Sequence, residues 1–322
     1  VLRRLAGVAL LVLAVAGLAG NEWRAGRADQ ALAALRAAVV TVDPSGLVPE
    51  DVPVLAGGEA TAGAPLRDPP FAVSVMALRL DRQVEMLQWQ ERLAGSGQNR
   101  TVRHERVWST ELIDSSRFYD RAPLNPSRFP VAPLRILADA ARLGRLTLSP
   151  EALAALPPSV VLRPTLGEVT IDGLRLAARL DGYGSGDPAT PRIGDVRVRH
   201  LIVPPGPVTI VGSLRDGRLG PWPAPNGTAM LLADNGLRSL DELARARSLG
   251  RLPELWGARF AFGILALVAT AALWADLAAA APGLARALGG SRRRAAPLVA
   301  LALVALAIAL GWLLYRTPVG WP

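Results

Sequence analysis

The sequence contains no cysteine and no lysine, and histidine occurs only at His104 and His200. The missing cysteine excludes disulfides, thiolate zinc sites and cysteine nucleophiles, while leaving the redox compartment open. Two single histidines, each in a segment that reads as a strand, give a metal little to hold, so neither metal nor cofactor is expected. All 36 basic side chains are arginine, and the net charge is +9. Many of these arginines flank apolar runs, and none of the basic clusters is interleaved with aromatics, so nucleic acid is not expected as a partner. Hydrolase chemistry lacks its signature too. GYGSGDP (182–188) does not place Gly, Ser and Gly at alternate positions, and it leads into no helix that would cradle phosphate. It reads as a turn between strands.

What the chain has in excess is apolar surface, at 51% hydrophobic over 322 residues. Three runs hold it: Leu5 to Gly20, Phe260 to about Ala281, and Pro297 to Tyr315. A helix needs about 20 apolar residues to cross a ~30 Å hydrocarbon core. The second and third runs qualify and the first is short. Arg3 and Arg4, an apolar core and Ala14-Val15-Ala16 also describe a secretory signal peptide. A retained anchor is expected, and under either reading the residues that follow are delivered across a membrane. Arg286, Arg292, Arg293 and Arg294 between the last two runs, with Arg3 and Arg4, mark the cytoplasmic side by the positive-inside rule, although Arg24, Arg27, Arg251 and Arg259 flank the other side. Asp276 falls inside or at the end of the second run, where a carboxylate costs about 3 kcal/mol on insertion scales. Interface position, helix pairing, and ion or proton handling are the three readings of it.

The expected fold class is a membrane protein with α-helical transmembrane spans and a large β-rich α+β extracytoplasmic domain. Residues 1–20 are read as the anchor, 21–40 as a membrane-proximal helix, 41–257 as the β-rich domain and 258–317 as the C-terminal transmembrane helices. Strands are expected at Val39 to Val42, Val52 to Ala56, Phe71 to Leu80, Val84 to Glu91, Thr101 to Ser109, Val160 to Leu162, Glu168 to Leu180, Asp195 to Val203, Val208 to Arg215 and Thr228 to Leu232, with Asp81-Arg82 among the turns. A helical insert is expected near 133–156, comprising Pro133 to Gly144 and a second helix capped by Ser149 with Pro150 in its first turn. Ser239, Leu240, Asp241 and Glu242 form a capping box that starts the last soluble helix.

VEMLQWQE (84–91) carries two carboxylates, Glu85 and Glu91, that invite a test as acid and base. Six residues of strand separate them by about 20 Å, whereas glycosidase carboxylates work about 5 to 9.5 Å apart. A helix would turn them apart. The segment reads instead as a strand with apolar residues on both faces, whose glutamates need partners such as Arg79, Arg82, Arg103 or Arg106.

The order of further motifs is similar to one known family. NEWRA (21–25), DPPF (68–71), RQVEMLQWQE (82–91), VWSTELIDSSRF (107–118), NPSRFP (125–130), DGYGSGDPATPRIGDVRV (181–198), VTIVGSLRDGRL (208–219) and LYR (314–316) together resemble the transmembrane protein 43 family, also called LUMA. The resemblance implies an N-terminal span, a large lumenal or extracytoplasmic domain and a C-terminal cluster of spans. Eukaryotic members are associated with the endoplasmic reticulum and inner nuclear membrane. Arginine-only usage with abundant alanine and glycine points to a bacterial member, with the domain in the periplasm and the spans in the inner membrane. The family's fourth span after LYR is missing, so the resemblance leaves room for a longer chain whose C-terminus returns to the cytoplasm.

The function expected is a non-enzymatic membrane scaffold or envelope-organising protein whose external domain binds proteins or lipid headgroups, with oligomerisation open. The competing readings are a membrane-surface enzyme or processing factor and a transport-complex subunit using Asp276. Candidate structural or interaction residues are Glu85, Trp89, Glu91, Trp108, Asn125, Asp195, Arg197 and Asp276. Convergence of Glu85, Glu91, Asp114, Asp195 and the histidines in one cleft would favour an enzyme.

Overall fold

A computed structural model of the chain describes residues 2–94, 101–280, 282–283 and 292–316. Its helices are α1 (Leu2–Ala38), α2 (Pro150–Ala155), α3 (Leu240–Ala280) and α4 (Arg292–Arg316). The chain divides into two compact units, a helical one (Val1–Val39, Pro223–Met230, Ser239–Pro322) and a β-rich one (Val40–Trp222, Leu231–Arg238). The helical unit takes in residues 239–257, assigned to the β-rich domain on sequence, because the capping box starts one helix that runs on unbroken. Glu242 Oε2 accepts from Ser239 N at 2.8 Å, and Ser239 Oγ accepts from Glu242 N at 3.3 Å.

In the β-rich unit one sheet joins β1 (Val40–Val42), β2 (Pro53–Thr61), β8 (Arg142–Leu143), β9 (Leu146–Leu148), β16 (Arg218–Gly220), β15 (Gly206–Arg215) and β19 (Leu232–Asn235). Because β2 also pairs with β15, five of these strands close into a ring. Val54, Ala56, Leu143, Leu148, Ile210 and Leu219 fill it, together with Leu153 of α2. A second sheet runs β11 (Glu168–Ile171), β12 (Leu174–Arg179), β13 (Gly182–Gly184), β14 (Val196–Val203), β5 (Arg79–Ala94) and β6 (Thr101–Ser109), with β10 (Val160–Leu162) on β14 and β7 (Leu134–Leu137) on β5. Its inner face carries Val84, Met86, Leu176, Tyr183, Val196 and Val198, packed with Phe71. Two ribbons, β3 (Leu66–Asp68) with β4 (Val73–Val75) and β17 (Trp222–Pro223) with β18 (Ala229–Met230), complete the strands among the described residues.

Several sequence expectations change. Phe71 to Leu80 is not one strand, since Pro69–Phe71 is a 3-10 turn, β4 covers only Val73–Val75 and Arg79 already begins β5, and Thr228 to Leu232 divides between β18 and β19 in different sheets. Pro133 to Gly144 is not helical, because β5 leaves an edge free from Arg79 to Arg82 and Leu134–Leu137 pairs with it, from Arg79↔Leu137 to Arg82↔Leu134. Its apolar residues fit either period over so short a run, and the open edge decides. The helical insert thus shrinks to α2, whose Ser149 cap accepts from Ala152 N at 3.2 Å. Asp81-Arg82 is not a turn but lies inside the 16-residue β5. Glu168 to Leu180 is two strands rather than one. Asp172 and Gly173, at φ 49° and 82°, make a tight turn of the type that matches strand twist, between β11 and β12.

In the helical unit, α1 and α3 run antiparallel. Close approaches fix their register. A Cβ at Gly7 would lie 2.8 Å from Leu273, and one at Gly17 2.3 Å from the Phe262 ring. Gly311 of α4 sits as tightly on Glu22 of α1, at 2.6 Å. At about 1.5 Å per residue α1 is roughly 55 Å long, far longer than a ~30 Å hydrocarbon core. Arg4–Ala38 and Leu240–Asp276 are long and apolar enough to cross a membrane, and the described apolar part of α4 is Ala296–Ala309.

Met86 is fully buried on β5 whereas Met76 is 46% exposed. Met86→Ala is expected to destabilise the detergent-solubilised chain by about 2–5 kcal/mol, and Met76→Ala by about 0.5 kcal/mol or less, read from thermal unfolding followed by circular dichroism.

Candidate functional site

The second half of β5 and the loops beside it gather most of the candidate residues. From Met86 onward one edge of β5 pairs with β6. β14 stops opposite Met86 on the other edge, so the backbone of Leu87 and Trp89 needs new partners. Leu87 N donates to Asp195 O at 2.8 Å and Leu87 O accepts from Gly194 N at 2.9 Å. Asn125 then completes the edge with its side chain. Its Oδ1 accepts from Trp89 N at 2.7 Å, and its Nδ2 donates to Trp89 O at 2.9 Å and Ile113 O at 3.1 Å. One primary amide thus does the work of a missing strand residue.

Glu91 and Asp195 pin the loops that follow. The Glu91 carboxylate accepts from Tyr119 N at 2.8 Å and Asp120 N at 3.0 Å, with His104 Nε2 3.5 Å away. Burial works against its charge, but the two backbone donors and His104 outweigh it and hold the carboxyl below its ordinary pKa of 4.5. Asp195 accepts from Ser185 Oγ at 2.9 Å and Arg192 N at 2.7 Å, closing the 185–195 loop. Asp114 caps the short turn at Ser115–Arg117 through Ser116 N and Oγ. Among the described residues Glu85 has its ion pair with Arg199, at 3.9 Å, and Arg199 also holds Asp181 at 3.0 Å. The Arg197 guanidinium lies over the Trp108 ring, 3.8 Å from its centroid. Apart from Glu91 with His104, these acids and histidines have separate partners. Among the described residues no three His, Cys, Asp or Glu side chains stand close enough to hold a metal ion.

Sequence reasoning missed the most buried polar cluster. Asp68, at the end of β3, accepts from Arg82 Nη1 at 2.9 and 3.1 Å and lies 2.8 Å from His200 Nε2, while Phe71 packs edge-on against the His200 ring at 4.9 Å. Arg82 and His200 are cross-strand neighbours on β5 and β14. Next to them Arg79 donates to Asp81, to Ala154 O at 2.7 Å and to Leu156 O at 2.8 Å, and Arg135 binds Asp81 from β7 at 2.8 Å. Burial opposes ionisation of Asp81, but the hydrogen bonds from Arg79 and Arg135 prevail and keep its pKa below 3.8. DPPF and the arginines of β5 were visible as motifs. No spacing rule links Asp68 to a histidine 132 residues away.

In the helical unit, Asp276 pairs with Arg4 at 2.9 Å between α3 and α1, with 38% of its side chain exposed. The carboxylate is a partner between helices at the end of the apolar stretch. A second pair, also missed, lies at the other end. Glu22, almost wholly buried, binds Arg259 through both carboxylate oxygens at 2.8 Å, and Asn21 Nδ2 donates to Leu255 O at 3.4 Å. Arg4 and Glu22 are about 27 Å apart along α1 at the helical rise, close to the thickness of a hydrocarbon core. Beyond Glu22 the two helices stay joined by Arg251–Asp29 at 3.4 Å and Arg36–Asp241 at 3.5 Å.

Asn125→Ala strands the Trp89 and Ile113 backbone groups, which costs about 1–3 kcal/mol, and is expected to speed hydrogen exchange at the Trp89 amide. Because the folded pKa of Glu91 lies below 4.5, its carboxylate adds stability above that value and loses it as pH falls through the folded pKa. Glu91→Gln should therefore melt lower than wild type at pH 7, and the gap should close on acidification.

The family model described as Transmembrane protein 43 matches residues 86–317. A Transmembrane protein 43 homolog of Drosophila melanogaster is 28% identical over 276 residues, covering 78% of this chain and 71% of that protein. The Transmembrane protein 43 of Mus musculus is 28% identical over 277 residues and that of Homo sapiens 27%, each alignment covering 78% of this chain and 68% of the relative. No solved structure matches. With the family model spanning from Met86 in the middle of β5 to the end of α4, the chain belongs to the transmembrane protein 43 family of membrane proteins.

Proposed function

We propose that the chain is a non-enzymatic membrane scaffold whose β-rich unit docks a protein partner through the loops beside the end of β5. One observation carries this. Leu112, Tyr119 and Leu124 are 43%, 68% and 69% exposed, yet the backbone around them is tied down by Glu91 and Asn125. Exposed apolar side chains on pre-ordered backbone suit an interface, because ordering them on binding costs little further entropy. Lipid is the alternative ligand of the same unit. Since α1 and α3 are antiparallel, the chain leaves the helices after Ala38 and returns at Leu240 at the end opposite the Arg4–Asp276 pair. The arginine-rich 286–294 segment, with Arg3 and Arg4, supports a cytoplasmic location for that pair and an extracytoplasmic β-rich unit, in a bacterial inner membrane by the arginine-only composition.

A photocrosslinking residue at Tyr119 in native membranes should give one discrete protein adduct, lost on Leu124→Asp, and one at Leu124 should give the same adduct, lost on Leu112→Asp. The control position is Leu47, 98% exposed. Equal adducts from Leu47, or none from 119 and 124, would sink the proposal.

A further inference from the structure

The outer face of the second sheet holds a cavity of about 260 Å³ that the scaffold role leaves unused. Its floor follows from strand alternation. On β13 Tyr183 points into the core and Gly184 faces the other way with no side chain, while Gly182 lies so close to Val198 O that a Cβ would come within 2.1 Å of it. Register then surrounds this bare strip with guanidinium groups. Arg179 of β12 lies opposite Gly182, Arg197 of β14 lies opposite Gly184, and Arg199 follows on β14. Trp108, Pro188 and Pro191 wall the space.

The charges in this cavity are not equally engaged. Asp181 is held by Arg199, and Asp187 turns its oxygens to Ala189 N and Thr190 Oγ1 at 2.9 and 2.8 Å. Arg179 spends one nitrogen on Gly186 O at 2.8 Å. Arg197 is different. Among the described residues its guanidinium donates no hydrogen bond and forms no ion pair, although it is half-buried and held flat on Trp108. A guanidinium fixed by stacking, with its donors unspent beside two further arginines, is pre-organised to grip an oxyanion. Phosphate, with more acceptor oxygens than carboxylate, uses such a surplus of donors best, and the cavity has room for more than a bare ion.

We propose that this cavity binds a small phosphate ester, with Arg197 as the bidentate anchor, Arg179 assisting and Trp108 holding Arg197 in place. The source is either a soluble ester or a phospholipid headgroup. The structure also provides a way to narrow the site without replacing a charge. A Cβ at Gly184 meets Arg179 Nε and Val196 O at 3.5 Å, ordinary contact, so a side chain there intrudes on the floor beside Arg179, and thermal melting reports whether the fold keeps its stability.

The test uses the full chain in detergent and in nanodiscs. Glycerol 3-phosphate is titrated by calorimetry, and phosphatidylglycerol nanodiscs are compared with phosphatidylcholine ones by protection of the Arg197 region from hydrogen exchange. Saturable binding of glycerol 3-phosphate, weakened tenfold or more by Arg197→Gln and by Gly184→Val with thermal melting unchanged, supports the site and a soluble ester. Protection only in phosphatidylglycerol, lost in both variants, supports the site and a headgroup. No binding to either probe, or binding that both variants retain, overturns it.

Discussion

The pairing of β5 on both edges along much of its length is the constraint from which the β-rich unit follows. β14, the 194–195 backbone and Asn125 take one edge in succession, while β7 and then β6 take the other. A strand so enclosed cannot bury a charge without a partner on the next strand or loop. Hence Asp68, Asp81, Glu85 and Glu91 each sit against an arginine, a histidine or backbone donors. On the outer face, among the described residues, Arg197 lies over the Trp108 ring and forms no ion pair.

The helical unit obeys the same electrostatics in a harder solvent. Glu22 and Arg259 are joined by both carboxylate oxygens, and small residues at Gly7, Gly17 and Gly311 let the helices approach closely enough for such contacts. Replacing a buried ion pair by apolar side chains is often neutral or stabilising, so its value lies in fixing register rather than in stability. Between the Arg4–Asp276 and Glu22–Arg259 pairs only one relative sliding of α1 and α3 satisfies both ends.

Legibility in the sequence divided along the range of the interaction. The capping boxes and caps at Ser239 and Ser149 were readable, because each closes over three residues. So were the apolar runs and the two-faced character of VEMLQWQE. The Asp172-Gly173 turn has a local signal, but its two flanking runs together have the pattern of one apolar strand. Leu134–Leu137 could not have been read as a strand from its own residues. Its conformation depends on an edge that β5 leaves open some fifty residues earlier. The candidate residues Asn125, Glu91 and Asp195 were singled out by motif, yet their work as loop anchors depends on partners across the fold.

By itself, the sequence determined the apolar helices, the absence of cysteine and lysine chemistry, the caps and the family motifs, all set by composition or by contacts within a few residues. Only the tertiary structure decided which charges meet. Pairs such as Asp68 with His200, Glu22 with Arg259 and Arg197 with Trp108 are selected by strand register and helix crossing, and local sequence carries no record of either.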